Sequence, residues 1–252
     1  MRKIKNFGLV GGLFVISFAI MACSKNDGVD EEKPSSSKRI VKISEDRGSY
    51  VEETSFQYDS QGRLITEKSN WITHYETRNY TYNETSIIRK QEGDMGSASS
   101  TNYTLSDGRI IREVRDESIT KDYTYDDSGY LMKQTYDGGT QSDSGTILFE
   151  WSDGNLMKYT KTRDGGSSTV YTITYSDIAW PQNFFIEWDG TNIEAVLEPM
   201  GAFGKMPRYL PKKISLSSGR EYTIDYTMAD GYVTKYIIQT SEKSEINTLV
   251  WE

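Results

Sequence analysis

Carboxylates are the most numerous side chains in this sequence that could do chemistry. The chain has 252 residues with 37 Asp and Glu, one His (His74) and one Cys (Cys23). Two carboxylates about 5–10 Å apart could hydrolyse a glycosidic bond, one as acid and the other as base or nucleophile. No Asp or Glu stands in an apolar setting that singles it out, so we assign no catalytic residue. His74, which lies near Trp71 and Tyr75, is interpreted as exposed or hydrogen-bonded rather than as a catalytic base.

Metal and phosphate chemistry have little support in the sequence. A single His excludes sites built from several His ligands. Residues 126–129 (Asp-Asp-Ser-Gly) look like part of a calcium loop, but the closing Glu is missing, and Ca²⁺ takes about six or more oxygens. We interpret them as a hairpin turn. The glycines follow Asp in turns rather than preceding helices, so no phosphate-binding loop is predicted. We expect no metal and no cofactor.

The position of Cys23 indicates covalent lipidation. Three of the first five residues are basic, and an apolar run follows over residues 7–19, which is the order of a secretory signal peptide. Ala22 then places a small residue directly before Cys23. This stretch resembles the lipobox of bacterial lipoproteins, which implies a signal peptide over residues 1–22 and lipid on Cys23. The alternative is a transmembrane anchor, for which the apolar run is short.

Residues 23–38 are predicted to be the lipidated Cys followed by a flexible acidic tether. They contain acidic residues, four serines and a proline, with almost no apolar side chain to bury. Acidic residues after the lipidated Cys resemble the surface-export signal of Bacteroidetes lipoproteins. The resemblance implies an outer-membrane protein, with the cell surface favoured over the periplasmic face. Two or more acyl chains would make such attachment stable.

Most of the remaining chain repeats one hairpin pattern. Tyr123 and Tyr125 alternate with Asp122 and Thr124, which is the period-two pattern of a half-buried strand. The turn over residues 126–129 follows, in which Gly supplies a positive φ. The second aromatic or apolar position of the pattern recurs every 20 to 26 residues from Tyr58 to Tyr175, which indicates repeated two-stranded units. The other units start at Phe56, Tyr80, Tyr103, Phe149, Ile173 and Ile224.

These units resemble the YD-repeat pattern. Residues 58–64 (Tyr-Asp-Ser-Gln-Gly-Arg-Leu) and 125–131 (Tyr-Asp-Asp-Ser-Gly-Tyr-Leu) carry the resemblance. Together with the N-terminus, the chain is similar to the small lipid-anchored proteins of unknown function that are common in Bacteroidetes. One such family is described as having a porin-like fold. The resemblance covers residues 39–252, implies that fold, and carries no catalytic residue to this chain.

The repeats predict a single all-β domain over residues 39–252. Consecutive hairpins without long crossovers form an antiparallel up-and-down meander of about sixteen strands. A sheet of that size twists strongly and curls into a half-barrel or a barrel. Residues 109–115 place charge on both faces of their strand, whereas a membrane-spanning barrel needs an apolar outer band. A barrel embedded in the membrane is therefore the less favoured interpretation.

One segment departs from the hairpin pattern. Residues 177–211 contain four of the five prolines, and their aromatic content argues against disorder. In one interpretation they form a binding surface, because Trp and Tyr suit sugars and protein partners. In the other they fold inward as a plug that seals an end or an edge of the sheet. The candidate ligand-binding residues are Trp180, Trp188, Phe184 and Tyr209.

Charge narrows the choice of function. The chain has a formal net charge of −8, and removing residues 1–22, which hold three bases and no acids, makes it −11. Such a surface repels nucleic acid. A single Cys allows no internal disulfide. We predict a non-catalytic binding or structural module, lipid-anchored at the outer membrane, with a glycan or an envelope protein as partner. The alternative is a glycoside hydrolase or other hydrolase that uses a carboxylate pair on the concave face of the sheet.

Overall fold

The protein forms a closed antiparallel barrel. The computed structural model describes residues 38–94, 96, 98–140, 143–186 and 195–252, and within them sixteen strands pair in up-and-down order. The all-β meander predicted from the sequence is confirmed, and its curling continues to full closure through the pairing of β1 with β16. The predictions for residues 1–37, including Cys23, and for Trp188 lie outside the described residues.

Each strand pairs with its neighbours in sequence, and their lengths are similar. The strands are β1 (Ile40–Asp46), β2 (Val51–Tyr58), β3 (Leu64–Trp71), β4 (His74–Tyr82), β5 (Ser86–Gly93), β6 (Ser99–Ser106), β7 (Arg109–Arg115), β8 (Ile119–Tyr125), β9 (Leu131–Asp137), β10 (Gly145–Ser152), β11 (Asn155–Arg163), β12 (Ser168–Ala179), β13 (Tyr209–Leu216), β14 (Glu221–Ala229), β15 (Tyr232–Gln239) and β16 (Ser244–Trp251).

The unit formed by β8 and β9 shows why the repeat folds as it does. Tyr123 is buried and Tyr125 half-buried inside the barrel, whereas Thr124 is exposed outside, as the alternation predicts. The turn prediction is also confirmed, because Asp126 Oδ1 accepts a hydrogen bond of 2.8 Å from the Tyr130 backbone N–H. Gly129 has a φ of 90°, a region that glycine enters without strain.

The second aromatic of a unit links that unit to the preceding one. Tyr125 donates its hydroxyl to the Ile110 carbonyl oxygen at 2.6 Å, and Trp151 Nε1 donates to the Leu131 carbonyl at 2.8 Å. Each acceptor lies beside a β-bulge, where the pairing register shifts and the regular ladder is interrupted. Five more bonds follow the same rule: Tyr58 to Ile40, Tyr82 to Leu64, Tyr175 to Leu156, Tyr226 to Pro211 and Trp251 to Val233.

The β6 strand provides an informative exception. Leu105 stands where the other even-numbered strands carry Tyr or Trp, and the preceding hairpin, β4–β5, pairs without a register shift. The Leu105 backbone N–H donates instead to the Thr85 carbonyl at 2.8 Å. The aromatic donor and the bulge therefore occur together, which indicates that the donor serves the carbonyl that the bulge exposes.

Burial keeps the linking tyrosines protonated. Taking a phenol out of water disfavours its anion and raises its pKa. The hydroxyl groups therefore remain donors throughout the ordinary pH range. Burial raises the pKa in this way above the usual value of 10.0 for Tyr58, Tyr82, Tyr125, Tyr175 and Tyr226.

The segment between β12 and β13 closes one end of the barrel. It runs over residues 180–208, slightly shorter than residues 177–211, because β12 extends to Ala179 and β13 starts at Tyr209. It contains a 3₁₀ helix over Ala195–Met200, and no helix within the described ranges is long and apolar enough to cross a membrane. Its buried apolar side chains include Phe184, Phe185, Ile186, Ala195, Leu197, Ala202 and Phe203. We call this segment the plug.

Contacts between the plug and the barrel turns fix the plug in place. The Ile110 N–H donates to the Ala202 carbonyl at 2.7 Å, and the Arg208 N–H donates to the Gly154 carbonyl at 2.9 Å. Phe203 packs edge-on against Tyr123, with ring centroids 5.3 Å apart. These bonds lie at the end of the barrel that carries the turns after the even-numbered strands. We call that end the plugged end and the other the open end.

The barrel interior is filled on one side. The inward side chains of β5–β12 pack against one another, and they include polar groups that bond within the core. Arg89 donates to Thr101 Oγ1 at 3.0 Å, and Tyr123 donates to Glu113 at 2.9 Å. Lys121 pairs with Glu113 at 3.1 Å. Because polar partners meet inside, this half of the barrel tolerates charge without solvent.

Candidate functional site

The predicted ligand-binding residues of the plug have different exposures. Phe184 is only 1% exposed, and its ring packs edge-on against Tyr226 and Tyr236. Trp180 is half-buried, and its Nε1 donates to the Phe184 carbonyl at 3.0 Å. Tyr209 is half-buried at the start of β13, where its backbone N–H donates to Asn155 Oδ1. Phe184 thus contributes to the core rather than to a surface, and the described contacts of the segment match the plug interpretation.

The barrel contains a cavity of about 850 Å³ on its other side, at the open end. Inward residues of eight consecutive strands, from β13 through the β16–β1 seam to β4, line it. Phe185 and Ile186 of the plug lie at its inner end, and Phe185 packs edge-on against Phe56 at 5.6 Å. A volume of this size is within the range of small-molecule sites in proteins. The plug therefore closes the inner end of the cavity and leaves its other end open.

One wall of the cavity is apolar. It belongs to β13, β14 and β15, where alternate residues point inward. The apolar surface of these strands continues into the inner end of the cavity, which Phe185 and Ile186 form. The side chains that form this wall are Ile214, Tyr222, Ile224, Tyr236 and Ile238.

The opposite wall, on β3 and β4, is ionic. Arg78 bonds to Glu67 at 2.9 Å and to Glu76 at 2.6 Å, so one guanidinium holds two carboxylates. Tyr80 donates to Glu67 at 3.0 Å, and Gln91 donates to Glu76 at 2.6 Å. This network fixes the side chains of the wall and presents a preorganised polar surface to the cavity.

Carboxylates also line the cavity between the two walls. Glu45 and Glu52 are register partners on β1 and β2, and Glu245 of β16 lies nearby. Arg47 forms an ion pair with Glu45 and lies 3.9 Å from Glu52. Burial raises the pKa of Glu45 to about 7, and the neighbouring charges of Glu245 and Glu52 add to this effect.

These cavity residues were not singled out by the sequence analysis. Strand parity could have found them, because Phe56 is an inward position of its repeat and side chains two and four residues earlier share its face. Thr54 and Glu52 occupy those positions and both line the cavity. In the sequence, a charged residue at an inward position of a hairpin unit was the signal that could have indicated the cavity.

The other residues considered in the sequence have structural contacts. His74 Nδ1 lies 3.3 Å from Asp94 Oδ2, and its ring is near Trp71 at the open end. The Asp126–Gly129 turn is held by its own backbone, with the Gly129 N–H donating to the Asp126 carbonyl. Across the described parts of the chain, no group of three or more His, Cys, Asp or Glu residues is placed to hold a metal ion.

The fold and the cavity define a closed sixteen-stranded barrel with one plugged and one open end. The structure is similar to a porin-like protein from Bacteroides uniformis, with a TM-score of 0.65 and 19% identity over 84% of this chain and 96% of that one. A porin-like protein from Bacteroides vulgatus matches with a TM-score of 0.60 and 13% identity, over 85% of this chain and 99% of that one. At these identities the likeness establishes a shared fold alone. No protein-family model and no curated protein matches the sequence.

Proposed function

We propose that this protein is a lipid-anchored envelope protein that binds a ligand in the open cavity and catalyses no reaction. The observation that carries the proposal is the cavity itself, which is open at one end, floored by the plug and lined by a fixed ionic network. Preformed concave sites with a few polar groups are the usual places for ligands. The lipobox resemblance at Cys23 and the Bacteroides origin of proteins with the same fold support an outer-membrane location.

The outer face of the barrel supports attachment by lipid rather than by insertion. Ion pairs cross neighbouring strands on this face, such as Lys42–Glu53 at 2.5 Å and Arg112–Asp122 at 2.9 Å. These side chains are all at least two-fifths exposed, and charges in a lipid-facing band would destabilise a spanning barrel. This exterior supports a barrel that stays outside the membrane, with the acyl chains proposed on Cys23 supplying the membrane contact.

The path of the chain suits a binding role at the cell surface. Lys38 is at the plugged end, where its carbonyl accepts a hydrogen bond of 2.8 Å from Asn183 Nδ2. Lys38, at which the predicted tether over residues 23–38 ends, therefore lies at the end opposite the cavity mouth. A mouth placed in this way stays accessible to a glycan or to a small envelope molecule.

Hydrolysis is the second candidate function, and one observation favours it. Glu45, whose pKa burial raises to about 7, faces Glu52 across the β1–β2 pair, so an acid and a base could act together. However, Arg47 contacts both carboxylates, which suits an ion cluster more than a catalytic pair. If the protein were a hydrolase, Glu45→Gln would abolish turnover of a glycan substrate while leaving its binding in place.

Two variants of one strand test the proposal with the soluble form that begins at Ser24. Thr54 points into the cavity and the neighbouring Ser55 points outward. Glycan arrays and thermal-shift screens of small molecules would identify ligands, and Thr54→Trp should weaken their binding at least tenfold while Ser55→Trp leaves it unchanged. Ligands that bind both variants equally well, or a complete lack of ligands, would contradict a cavity function.

Anchoring has its own test, which uses the full-length chain in cells. Cys23→Ala should stop metabolic labelling with fatty acid and release the protein from the membrane fraction. Fatty-acid labelling that persists in this variant would refute the lipidated anchor, whatever the barrel binds.

A further inference from the structure

We infer that the cavity takes a small amphipathic cation, a molecule with an apolar body and a positively charged head. The inference rests on the proposed function, because it specifies the ligand of the same cavity. The two features that lead to it are the division of the cavity into an apolar and an ionic side and the excess of carboxylates among the lining side chains.

The apolar side would hold the body of the ligand. Ile214, Ile224 and Ile238 lie on three consecutive strands, and Phe185 continues their surface across the floor. An apolar group placed there leaves water without burying any polar atom of these side chains. A purely polar ligand, such as a free sugar or an inorganic ion, would leave this surface unused.

The charged side chains of the cavity favour a positive head. Six carboxylates and four cationic groups line the cavity. With every acid ionised this leaves two formal negative charges, and Glu45, whose pKa burial raises to about 7, is fully charged only above neutral pH. Arg78 is bonded to two of these carboxylates and Arg47 is close to two others. Glu245 accepts a hydrogen bond of 3.2 Å from the neutral amide of Asn247. The six acids are Glu45, Glu52, Glu67, Glu76, Glu242 and Glu245, and the four bases are Arg47, Arg78, Arg220 and Lys243.

An anionic head would fit this site poorly. Two of the four cationic groups, Arg47 and Arg78, are already within 4 Å of carboxylates, so an anion beside them would have to compete with those contacts. The other two, Arg220 and Lys243, lie in turns at the cavity mouth rather than on its walls. It would also approach Glu45 and Glu52, and like charges at close range repel strongly where water is partly excluded. A cation gains from the same arrangement, because it adds a positive charge beside carboxylates that share one guanidinium.

Three probes with apolar chains of similar length separate these possibilities. Octyltrimethylammonium carries a cationic head, octanoate an anionic head and octyl glucoside a neutral sugar. Isothermal titration calorimetry with the Ser24 soluble form, below the micelle-forming concentration of each probe, should show the cation binding at least tenfold more tightly than the anion. This preference should shrink as salt is added, because salt screens the carboxylates.

Neighbouring residues on β2 provide a matched pair of charge variants. Glu52 points into the cavity and its side chain is 23% exposed, whereas Glu53 points outward and is 52% exposed. Glu52→Gln should weaken binding of the cation roughly three- to tenfold, the effect of one nearby charge in a partly wet site. Glu53→Gln removes the same charge from the outer face and should change binding less than twofold. Circular dichroism and melting of each variant would show that the barrel is intact.

The outcomes separate this inference from the proposed function. Preference for octanoate or for octyl glucoside, with loss of binding in Thr54→Trp, would overturn the cationic ligand and keep the cavity as a binding site. An equal response of Glu52→Gln and Glu53→Gln would also overturn it, since the charge inside the cavity would then have no special role. If no probe binds, the cation is wrong, and the glycan and small-molecule screens still decide whether the cavity binds anything.

Discussion

The hydroxyl of Tyr125 should contribute measurably to the stability of the barrel. Replacing it with Phe keeps the ring, including its contact with Arg109 at 4.9 Å, and removes only the donor to the Ile110 carbonyl. Ile110 is fully buried beside the bulge, so its carbonyl would lose a partner that water cannot easily replace. An unsatisfied buried acceptor costs about 1–3 kcal/mol, and we expect about 1–2 kcal/mol because Tyr125 itself is only half-buried.

Equivalent bonds elsewhere allow the magnitude to be checked by addition. Tyr82 and Tyr226 make the same bond in distant units, at 2.6 and 2.8 Å. Because the sites share no partners, the triple Phe variant with Tyr125 should lose roughly three times as much as the single variant. Tyr75 is the control, since it points outward and is 45% exposed, and Tyr75→Phe should change stability by less than about 0.5 kcal/mol.

The assay is reversible denaturant unfolding of the soluble form, followed by circular dichroism, with thermal melting as a second measure. For a domain of this size, each kcal/mol corresponds to about 2–4 °C in melting temperature, so Tyr125→Phe should melt roughly 2–8 °C lower. If all three Tyr→Phe variants are as stable as Tyr75→Phe, the bonds do not stabilise the barrel. The proposed pairing of aromatic donors with bulges would then have no energetic basis.

Three further perturbations test other parts of the structure. Phe184→Ala empties a site packed against Tyr226 and should destabilise the soluble form by about 3–5 kcal/mol; a loss below about 1 kcal/mol in denaturant would mean that the plug is not packed in solution. Gly204→Ala would place a Cβ 2.3 Å from the Gly129 carbonyl oxygen at a φ of 85°, so melting should fall by several degrees, and unchanged melting would show that the plug backbone can shift. Because the pKa of Glu45 is raised from 4.5 to about 7, its favourable contribution is complete below about pH 4.5 and lost by about pH 7, an effect of up to roughly 3 kcal/mol. Glu45→Gln should flatten this part of the stability profile, and a profile that keeps the wild-type slope would assign the pH dependence to other groups.

The strands and their inward faces could be predicted from the sequence because the repeat is local. Alternation around Tyr123 and the Asp126–Gly129 turn determines one hairpin without reference to any other. Closure could not be predicted in the same way, because it depends on the pairing of Ile40 with Trp251 at the two ends of the barrel sequence. A half-barrel and a full barrel have the same local pattern.

The cavity was harder to predict for a related reason. Inward Arg89 and inward Arg78 look alike in the sequence, yet Arg89 is packed in the filled half and Arg78 lines the open half. What separates them is the course of the plug, which fills the barrel unevenly. The plug has no periodic pattern, so its path depends on tertiary packing of residues such as Phe184 and Phe203.

The seam between β1 and β16 has a consequence for how the protein folds. Fifteen of the sixteen strand pairings join neighbours in sequence, fourteen of them through short turns and the β12–β13 pair across the plug, whereas the seam joins the first strand to the last. Closing so large a loop costs chain entropy before the hydrogen bonds of the seam can form. The seam is therefore expected to form late. Until then β1 and β16 are both unpaired edges, available to another chain. Hairpin-by-hairpin assembly followed by a single final closure would limit the time during which such edges can aggregate.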